Sequence, residues 1–301
     1  MTLAEFLSSE TGMLLSGLAL GAVAGSFLNV CAYRIPLGQS TVSPRSRCPQ
    51  CKSSIPWFRN LPVFSWLIQG GKASCCTFRI PLRYWLVEVF VAMVFGFLFH
   101  RYSQMPSLGP FVAGCIFAWL MIAVVVVDVE HMIIPDRFSM GGAVGGVLLS
   151  MAFPSIHLLR HSTELLDRLG GGMNSLIGLL VGSASLYWIG ILAEKGLKKE
   201  ALGEGDVKLM GCIGAFCGWK GAIFAIFGGA TLVAFILLPL MVIGRMRSDG
   251  KDDAESLAWG QEVPFGPYLA LAGLLYLACI RSWVDSWFDS LILVFQRSSL
   301  G

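Results

Sequence analysis

Two acidic residues adjoin apolar segments in positions that suit catalysis. Asp128 ends the apolar run 123–128, and Asp206 closes the string Gly203-Glu204-Gly205-Asp206. A carboxylate at the edge of a hydrocarbon-embedded helix is costly unless it faces a polar cavity, so such a residue usually has a function. Position alone leaves two plainer interpretations open: Asp128 marks a helix end at the headgroup boundary, and Asp206 caps a helix N-terminus.

Paired carboxylates at one membrane depth indicate a specific chemistry. They cannot both ionise cheaply in a water-poor site, so they share a proton, and one activates water while the other protonates the substrate oxygen. Helix dipoles favour negative charge at an N-terminus and oppose it at a C-terminus. We therefore expect Asp206 to be the ionised base and Asp128 the protonated acid.

The alternative from another functional class is a proton- or cation-coupled transporter. Asp128 and Asp206 would then form its ion site, as paired intramembrane acids do in transporters. The sequence shows no inverted repeat, and both acids are expected near one face of the membrane rather than at its midplane. Both features weigh against this alternative.

Four of the nine cysteines form a second constellation, which suits a metal. They cluster in one polar loop as Cys48, Cys51, Cys75 and Cys76. Four thiolates complete a tetrahedral zinc site, and cytoplasmic thiols stay reduced and available. The other interpretation is a set of ordinary reduced thiols in a loop that folds without metal.

The elements that must position these residues are membrane helices. Hydrophobic residues make up 55% of the 301-residue chain and charged residues 14%, and the mean hydropathy is +0.70. A soluble domain carries about a quarter charged residues, so the composition predicts an all-α, multi-pass membrane protein. The N-terminal segment lacks the basic residues of a cleavable signal. Runs of sufficient length predict about eight transmembrane helices, at residues 13–33, 84–99, 111–128, 138–153, 173–192, 207–217, 222–243 and 265–280.

Loop charges predict how these helices are oriented. Residues 34–83 contain eight Lys or Arg residues and no Asp or Glu, which places this cysteine-rich loop in the cytoplasm and the N-terminus in the periplasm. Alternation then puts the basic segments 195–199 and 245–251 inside and the charge-balanced loop 154–172 outside. Asp128 and Asp206 both fall near the cytoplasmic face. The basic loop would lie against anionic lipid or attract an acidic part of a substrate.

This reasoning divides the chain into four parts. They are an N-terminal segment with the first helix, the cysteine-rich loop, a seven-helix core and a C-terminal tail, at residues 1–33, 34–83, 84–281 and 282–301. Among the other acids, Asp136 follows Pro135 and is expected to be a helix N-cap. Nothing in the sequence predicts a nucleic-acid partner.

Several segments resemble, in order, the signature segments of bacterial type IV prepilin peptidases. The resemblance covers nearly the whole chain. It is carried by Gly25-Ser26-Phe27-Leu28-Asn29-Val30 with Arg34, Arg83-Tyr84-Trp85-Leu86-Val87-Glu88, Asp128-Val129-Glu130-His131-Met132-Ile133-Ile134-Pro135-Asp136, Gly203-Glu204-Gly205-Asp206 and Pro264-Phe265-Gly266-Pro267.

The resemblance implies an intramembrane aspartic endopeptidase with Asp128 and Asp206 as its catalytic acids. It implies cleavage of type IV prepilins or type II secretion pseudopilins after a leader Gly, followed by methylation of the new N-terminal residue from S-adenosylmethionine, in the bacterial inner membrane. The alternative is a peptidase without methyltransferase activity, because no methyl-donor pocket is legible in the sequence. Many family members also carry two Cys-x-x-Cys pairs, but alignment on Arg83-Tyr84 places Ala73 at the third cysteine and Cys76 at the fourth.

Overall fold

Helices are the regular secondary structure of the part of the chain that the computed structural model describes, apart from a largely irregular stretch at residues 35–81. That part comprises residues 9–102, 108–157, 163–198, 202–247 and 264–299. Within it, extended pairing is limited to two isolated β-bridges. The all-α fold predicted from the sequence is confirmed for these residues. The chain divides into two compact units, residues 1–127 and 128–301.

Three helices and most of a fourth belong to the first unit. They are α1 (Glu10–Arg34), α2 (Phe64–Ile68), α3 (Leu82–Tyr102) and α4 (Leu108–His131), which ends in the second unit. Helix α1 starts where Ser9 caps it, since the Ser9 Oγ accepts a hydrogen bond from the N–H of Gly12 at 3.1 Å.

Glycines allow α1 and α3 to pack backbone against backbone. Gly17, Gly21 and Gly25 repeat every fourth residue along α1 and face α3. A Cβ at Gly21 would lie 2.7 Å from the Cα of Ala92, closer than real Cβ atoms approach. Small residues at this spacing are typical of packed membrane helices, where close approach replaces the hydrophobic driving force.

The second unit contains the remaining helices. They are α5 (Asp136–Ala152), α6 (Glu164–Leu197), α7 (Glu204–Arg247), α8 (Gly266–Leu275) and α9 (Arg281–Ser299), with a 3₁₀ turn at Pro154–His157 and a π-helical turn at Tyr276–Ile280.

Helix α7 consists of two segments that lie side by side. Gly218 has φ 72° and ψ 179°, which interrupts the helix. A Cβ at Gly182 would be 2.6 Å from the carbonyl oxygen of Met210 and 3.3 Å from the Cβ of Ala222. Those two atoms are therefore at most about 6 Å apart, the sum of these distances, whereas twelve residues of straight helix rise about 18 Å. The chain turns back on itself at Gly218.

Six helices of the described residues are long and apolar enough to cross a membrane. They span Glu10–Arg34, Leu82–Tyr102, Gly109–His131, Glu164–Gly196, Glu204–Ile236 and Gly266–Ser298. Large apolar side chains such as Leu180 and Leu192 are more than 60% exposed along α6, as lipid-facing residues are. The chain is thus a multi-pass membrane protein.

The structure corrects two boundaries expected from the sequence. The predicted outer loop 154–172 is shorter, because α6 begins at Glu164, where an acidic first turn suits the helix dipole. The predicted tail 282–301 is helical from Arg281 to Ser299, since its apolar residues recur at helical spacing. The basic segments 195–199 and 245–251 lie partly outside the described residues.

Candidate active site

Asp128 and Asp206 meet around Gly266 in the second unit. Asp128 is 5% exposed and Asp206 is 9% exposed. A Cβ at Gly266 would lie 2.6 Å from the Oδ2 of Asp128 and 3.2 Å from the Oδ1 of Asp206. The two carboxylate oxygens are therefore at most about 6 Å apart, the sum of those distances. A bridging water or a substrate carbonyl can bond both acids across such a gap.

Each acid comes from a helix end, as the sequence predicts. Asp128 lies in the last turn of α4, which ends at His131 before Met132 takes a left-handed conformation with φ 55°. Asp206 lies in the first turn of α7, where its N–H donates to the carbonyl of Gly203 at 3.1 Å. Helix α7 begins at Glu204, so Asp206 is not the N-cap.

No cation neutralises the two acids within the described part of the chain. The ion pairs found there involve other groups, of which the nearest in sequence are Glu130 with His131 at 3.8 Å and Asp136 with Lys208 at 2.9 Å. Two nearby carboxylates without a cation repel each other strongly in a site with little water. This electrostatic arrangement is costly for stability, and paired acids of this kind are typical of functional sites.

The structure corrects the role expected for Asp136. The residue that caps α5 is Pro135, and Asp136 is the first helical residue. The Asp136 carboxylate instead accepts a hydrogen bond from the Lys208 ammonium at 2.9 Å, and its side chain is 60% exposed. Asp136 therefore takes part in a surface ion pair between α5 and α7.

Gly266 is a site residue whose position the sequence does not predict. It lies in the segment Pro264-Phe265-Gly266-Pro267, whose only signal in the sequence is its resemblance to the family's segment. A Cβ there would also lie 2.8 Å from the Cδ1 of Ile134, and a Cβ at Gly205 would lie 3.2 Å from the Cβ of Ile134. Two glycines thus provide the space around the acids. A glycine next to helix-starting proline was the available signal.

The four loop cysteines come together in the first unit. The sulfur atoms of Cys48, Cys51, Cys75 and Cys76 all lie within 4.8 Å of one another. The Cys48–Cys76 and Cys51–Cys75 pairs are 3.5 and 3.4 Å apart, and Cys75 and Cys76 are 4.0 Å apart. Tetrahedral zinc with bonds of about 2.3 Å requires sulfur separations of about 3.8 Å. The donor set therefore fits a zinc ion.

The loop geometry shows how the missing third cysteine is replaced. Two β-bridges close the equal-length loops 47–54 and 72–79. Cys48 and Ala73 each follow the first residue of their bridge, so they occupy equivalent positions. Cys75, in the turn of the second loop, supplies the fourth sulfur of the cluster, 3.4 Å from the sulfur of Cys51.

Hydrogen bonds favour the thiolate at two of these residues, Cys51 and Cys48. The Ser53 hydroxyl, and then the Ser53 backbone, lower the pKa of Cys51 to about 6. The pKa of Cys48 is also lowered, chiefly by a backbone hydrogen bond from Cys51. Zinc binds thiolates, so these bonds would assist metal binding through Cys48 and Cys51.

Two buried carboxylates lie at helix ends in a chain of membrane-length helices. These features place the chain in the class of multi-pass membrane proteins with a paired-acid site. The sequence profile of the bacterial peptidase A24 N-terminal domain matches residues 19–102, and that of the type IV leader peptidase family matches residues 115–238. Similar proteins, each named prepilin leader peptidase/N-methyltransferase, occur in Dichelobacter nodosus, Stutzerimonas stutzeri and Pseudomonas aeruginosa, at 30%, 32% and 31% identity. These alignments cover 91–92% of this chain and 94% of each relative. The chain belongs to the type IV leader peptidase family.

No solved structure is significantly similar to the chain. The transporter alternative loses its basis, because the family membership covers both segments that carry the acids.

Proposed function

We propose that this protein cleaves the leader peptide of type IV prepilins or type II secretion pseudopilins after a Gly and methylates the new N-terminal residue. Asp128 and Asp206 are its catalytic acids. The observation that carries the proposal is the convergence of these two buried carboxylates on Gly266, in a chain whose relatives are named prepilin leader peptidase/N-methyltransferase.

Cleavage follows from one proton shared by two acids. The Asp206 carboxylate takes a proton from water, whose oxygen attacks the carbonyl carbon of the leader Gly, while Asp128 gives its proton to the carbonyl oxygen. The tetrahedral intermediate then collapses: the C–N bond breaks, the leaving amine takes a proton from Asp206, and a hydroxyl of the intermediate returns a proton to Asp128. The bare backbone of Gly266 keeps the space between the acids open for the substrate.

Methylation requires a donor pocket and a deprotonated amine, but no acid pair. S-adenosylmethionine, when bound, would supply an electrophilic methyl group to the amine nitrogen as its sulfur–methyl bond breaks, with S-adenosylhomocysteine as the leaving group. The protein holds the donor and the amine together so that the reaction becomes effectively unimolecular. Water accepts the proton that the amine loses.

Zinc on Cys48, Cys51, Cys75 and Cys76 is the second part of the proposal. The sulfur separations of 3.4 to 4.0 Å support it. The metal would supply no chemistry to either reaction. It would crosslink the loops 47–54 and 72–79. Both loops are short, so hydrogen bonds alone give them limited stability.

We further propose eight membrane crossings in the bacterial inner membrane, with the N-terminus in the periplasm and the acids near the cytoplasmic face. The six long helices support most of the crossings, and the turn at Gly218 supports counting α7 as two. Helix α5, with 17 residues, is the remaining one; 17 residues are about the minimum for a span. Membrane lipid and the prepilin substrates are the partners that this arrangement implies.

The acid pair is tested with a prepilin peptide and the purified protein in detergent. Asp128→Asn and Asp206→Asn should each lower the cleavage rate by at least about 1,000-fold, because an amide neither activates water nor cycles a proton. Asp136→Asn is the matched control and should keep most activity, since its carboxylate serves only the surface ion pair with Lys208. Appreciable turnover by Asp206→Asn would overturn the assignment.

A further inference from the structure

The first unit contains a cavity that the acid pair does not use. It has a volume of about 290 Å³ and lies among α1, α2, α3 and the cysteine-bearing loop. Its lining is mixed: it includes aromatic rings, one carboxylate (Glu88) and several guanidinium groups. Cavities of about this size with few, well-placed polar groups are typical of small-molecule sites.

The aromatic part of the lining includes an unused hydrogen-bond donor. Trp66 and Trp85 form a tilted pair with ring centroids 5.7 Å apart. The Trp66 indole N–H donates to the carbonyl of Ile80 at 3.2 Å. The Trp85 indole N–H is buried and has no partner among the described residues, a costly condition that an incoming acceptor would relieve.

The carboxylate in the lining has no counter-ion. Glu88 forms no ion pair within the described part of the chain. Its Oε2 accepts the N–H of Val63 at 2.7 Å, and the polar residues Ser26 and Asn29 line the same cavity. A neutral donor holds the carboxylate in place, and its negative charge stays unmatched. A partly buried, unmatched charge favours a cationic ligand.

Backbone strain next to Glu88 also indicates a functional site. Val63 has φ 64° and ψ −52°, and the N–H of Phe64 donates to the carbonyl of Pro62 at 2.7 Å, which defines a γ-turn. A β-branched residue at positive φ is a genuine outlier. Such strain persists only where the surroundings impose it, and it is concentrated at ligand and active sites. Here the Glu88 carboxylate fixes the strained N–H.

We propose that this cavity is the methyl-donor site and binds S-adenosylmethionine, an inference that rests on the proposed methyltransferase function. Each part of the donor matches a group of the lining. Adenine is a flat ring that packs on the Trp66–Trp85 pair, and one of its nitrogens accepts the free indole N–H. The positively charged sulfonium of the donor would pair with the Glu88 carboxylate. The carboxylate of the donor would pair with Arg47 or Arg59, which line the same cavity.

The decisive variants change one interaction each. Glu88→Gln removes the charge and keeps an oxygen for the Val63 N–H, so S-adenosylmethionine should bind about tenfold more weakly, which is typical for loss of a charge-assisted contact. S-adenosylhomocysteine has no sulfonium, so its affinity should change less than about twofold. Glu10→Gln, an exposed acid of the same unit, is the matched control and should bind both as the wild type does.

The indole donor is tested in the same binding measurement, with tritiated S-adenosylmethionine and the full chain in detergent. Trp85→Phe should weaken binding about fivefold, the loss expected for one hydrogen bond. Trp57→Phe is the control, because Trp57 is 79% exposed and lies outside the cavity lining. The proposal is overturned if Trp85→Phe and Glu88→Gln both bind as tightly as the wild type, or if Glu88→Gln weakens both ligands equally.

A measurement on the unmodified protein removes any dependence on folding of the variants. An azido-adenine analogue of the donor, activated by light, should label peptides within residues 61–88. Label confined to residues 128–301 would refute the site. If the protein methylates peptide but the label lies within residues 128–301, the position of this site is wrong and the proposed methyltransferase function stands. A protein that cleaves prepilin but neither binds nor transfers the methyl group contradicts the proposed methyltransferase function instead.

Discussion

Position 266 matters at the residue scale because it carries no side chain. Gly266→Ala would place a methyl group 2.6 Å from the Asp128 Oδ2 and 2.8 Å from the Ile134 Cδ1. The backbone at this glycine is not in the left-handed region, so alanine is sterically excluded only by the site itself. We expect cleavage to fall at least about tenfold while the protein still folds, since about 1 to 3 kcal/mol of overpacking acts on the acids.

Gly141→Ala is the control for this substitution. A Cβ at Gly141 meets nothing within 4 Å, and alanine is a better helix former than glycine. Cleavage by this variant should equal that of the wild type. If the Gly266→Ala variant cuts prepilin peptide as fast as the Gly141→Ala variant, the space between the acids is not required for catalysis.

His157 should make the stability of the protein depend on pH. Burial, and then the charge of Arg281, lower the pKa of His157 from 6.5 to about 4. The unfolded chain therefore binds the proton first, and stability falls as pH drops from about 6.5 to about 4. Across this pH range the free energy of unfolding decreases by about 3 kcal/mol because of His157. His157→Gln keeps a hydrogen-bonding group for Ser150 and removes the titration.

The measurement is the thermal midpoint in detergent at pH 7 and pH 4.5. The thermal midpoint of His157→Gln should fall less on acidification than that of the wild type. The midpoint of the exposed control His100→Gln should fall as much as that of the wild type. An equal fall in His157→Gln and wild type would show that His157 does not carry this dependence.

The sequence was informative about which residues matter and less so about their partners. Asp128 and Asp206 were identified because an acid beside an apolar run is unusual. The partner of Asp136 was missed, because its ion pair joins two helices that are far apart in the chain. Gly266 was missed as a site residue because a glycine contributes only space, which becomes visible when three segments are brought together.

At the element scale, the cysteine-bearing loops should depend on metal. Purification without chelators should yield up to one zinc per chain, and Cys48→Ser should lose most of it and melt several degrees lower, because Cys48 is 1% exposed and its sulfur touches Cys76. Cys279→Ser, an exposed cysteine outside the cluster, should keep the metal. The double variant Ala73→Cys with Cys75→Ala should also keep it.

Metal analysis and a thermal melt check this prediction. Absence of zinc, together with a Cys48→Ser variant as stable as the wild type, would mean that packing alone holds the loops. The pattern of cysteines predicted this set of four, Cys75 included. The pairing of the two loops by their β-bridges, which brings the four sulfur atoms together, is not revealed by spacing along the chain.

Helix positions were predictable because a run of apolar residues long enough to span a membrane has few other structures open to it. The break expected between residues 217 and 222 coincides with Gly218. The start of α6 and the helical α9 were not predicted, since both contain charged residues that resemble loop or tail sequence. Helix α9 combines Asp285 with a buried Val284 and an exposed Trp283, a pattern that charge counting hides.

At the scale of the whole molecule, composition was enough to predict an all-α membrane protein. The eight crossings and the orientation remain predictions: charge bias in loops reflects how a chain inserts, whereas a fold reports only contacts among its helices. The proposed donor cavity could not be predicted either. Its lining comes from residues spread between Ser26 and Glu88 on several elements, and no contiguous motif contains it.

The central claim is that Asp128 and Asp206 cut, and that methylation proceeds without them. Mass analysis of two peptides tests it: an intact prepilin peptide, and the same peptide supplied already cut, with a free N-terminal Phe. Wild-type protein should cleave the first peptide. It should add one methyl group to the new N-terminus of that peptide and one to the pre-cut peptide. Asp128→Asn, shown to be folded by its thermal melt, should leave the first intact and still methylate the second. Cleavage of the intact peptide by Asp128→Asn, or failure of that folded variant to methylate the pre-cut peptide while the wild type does, would contradict the account.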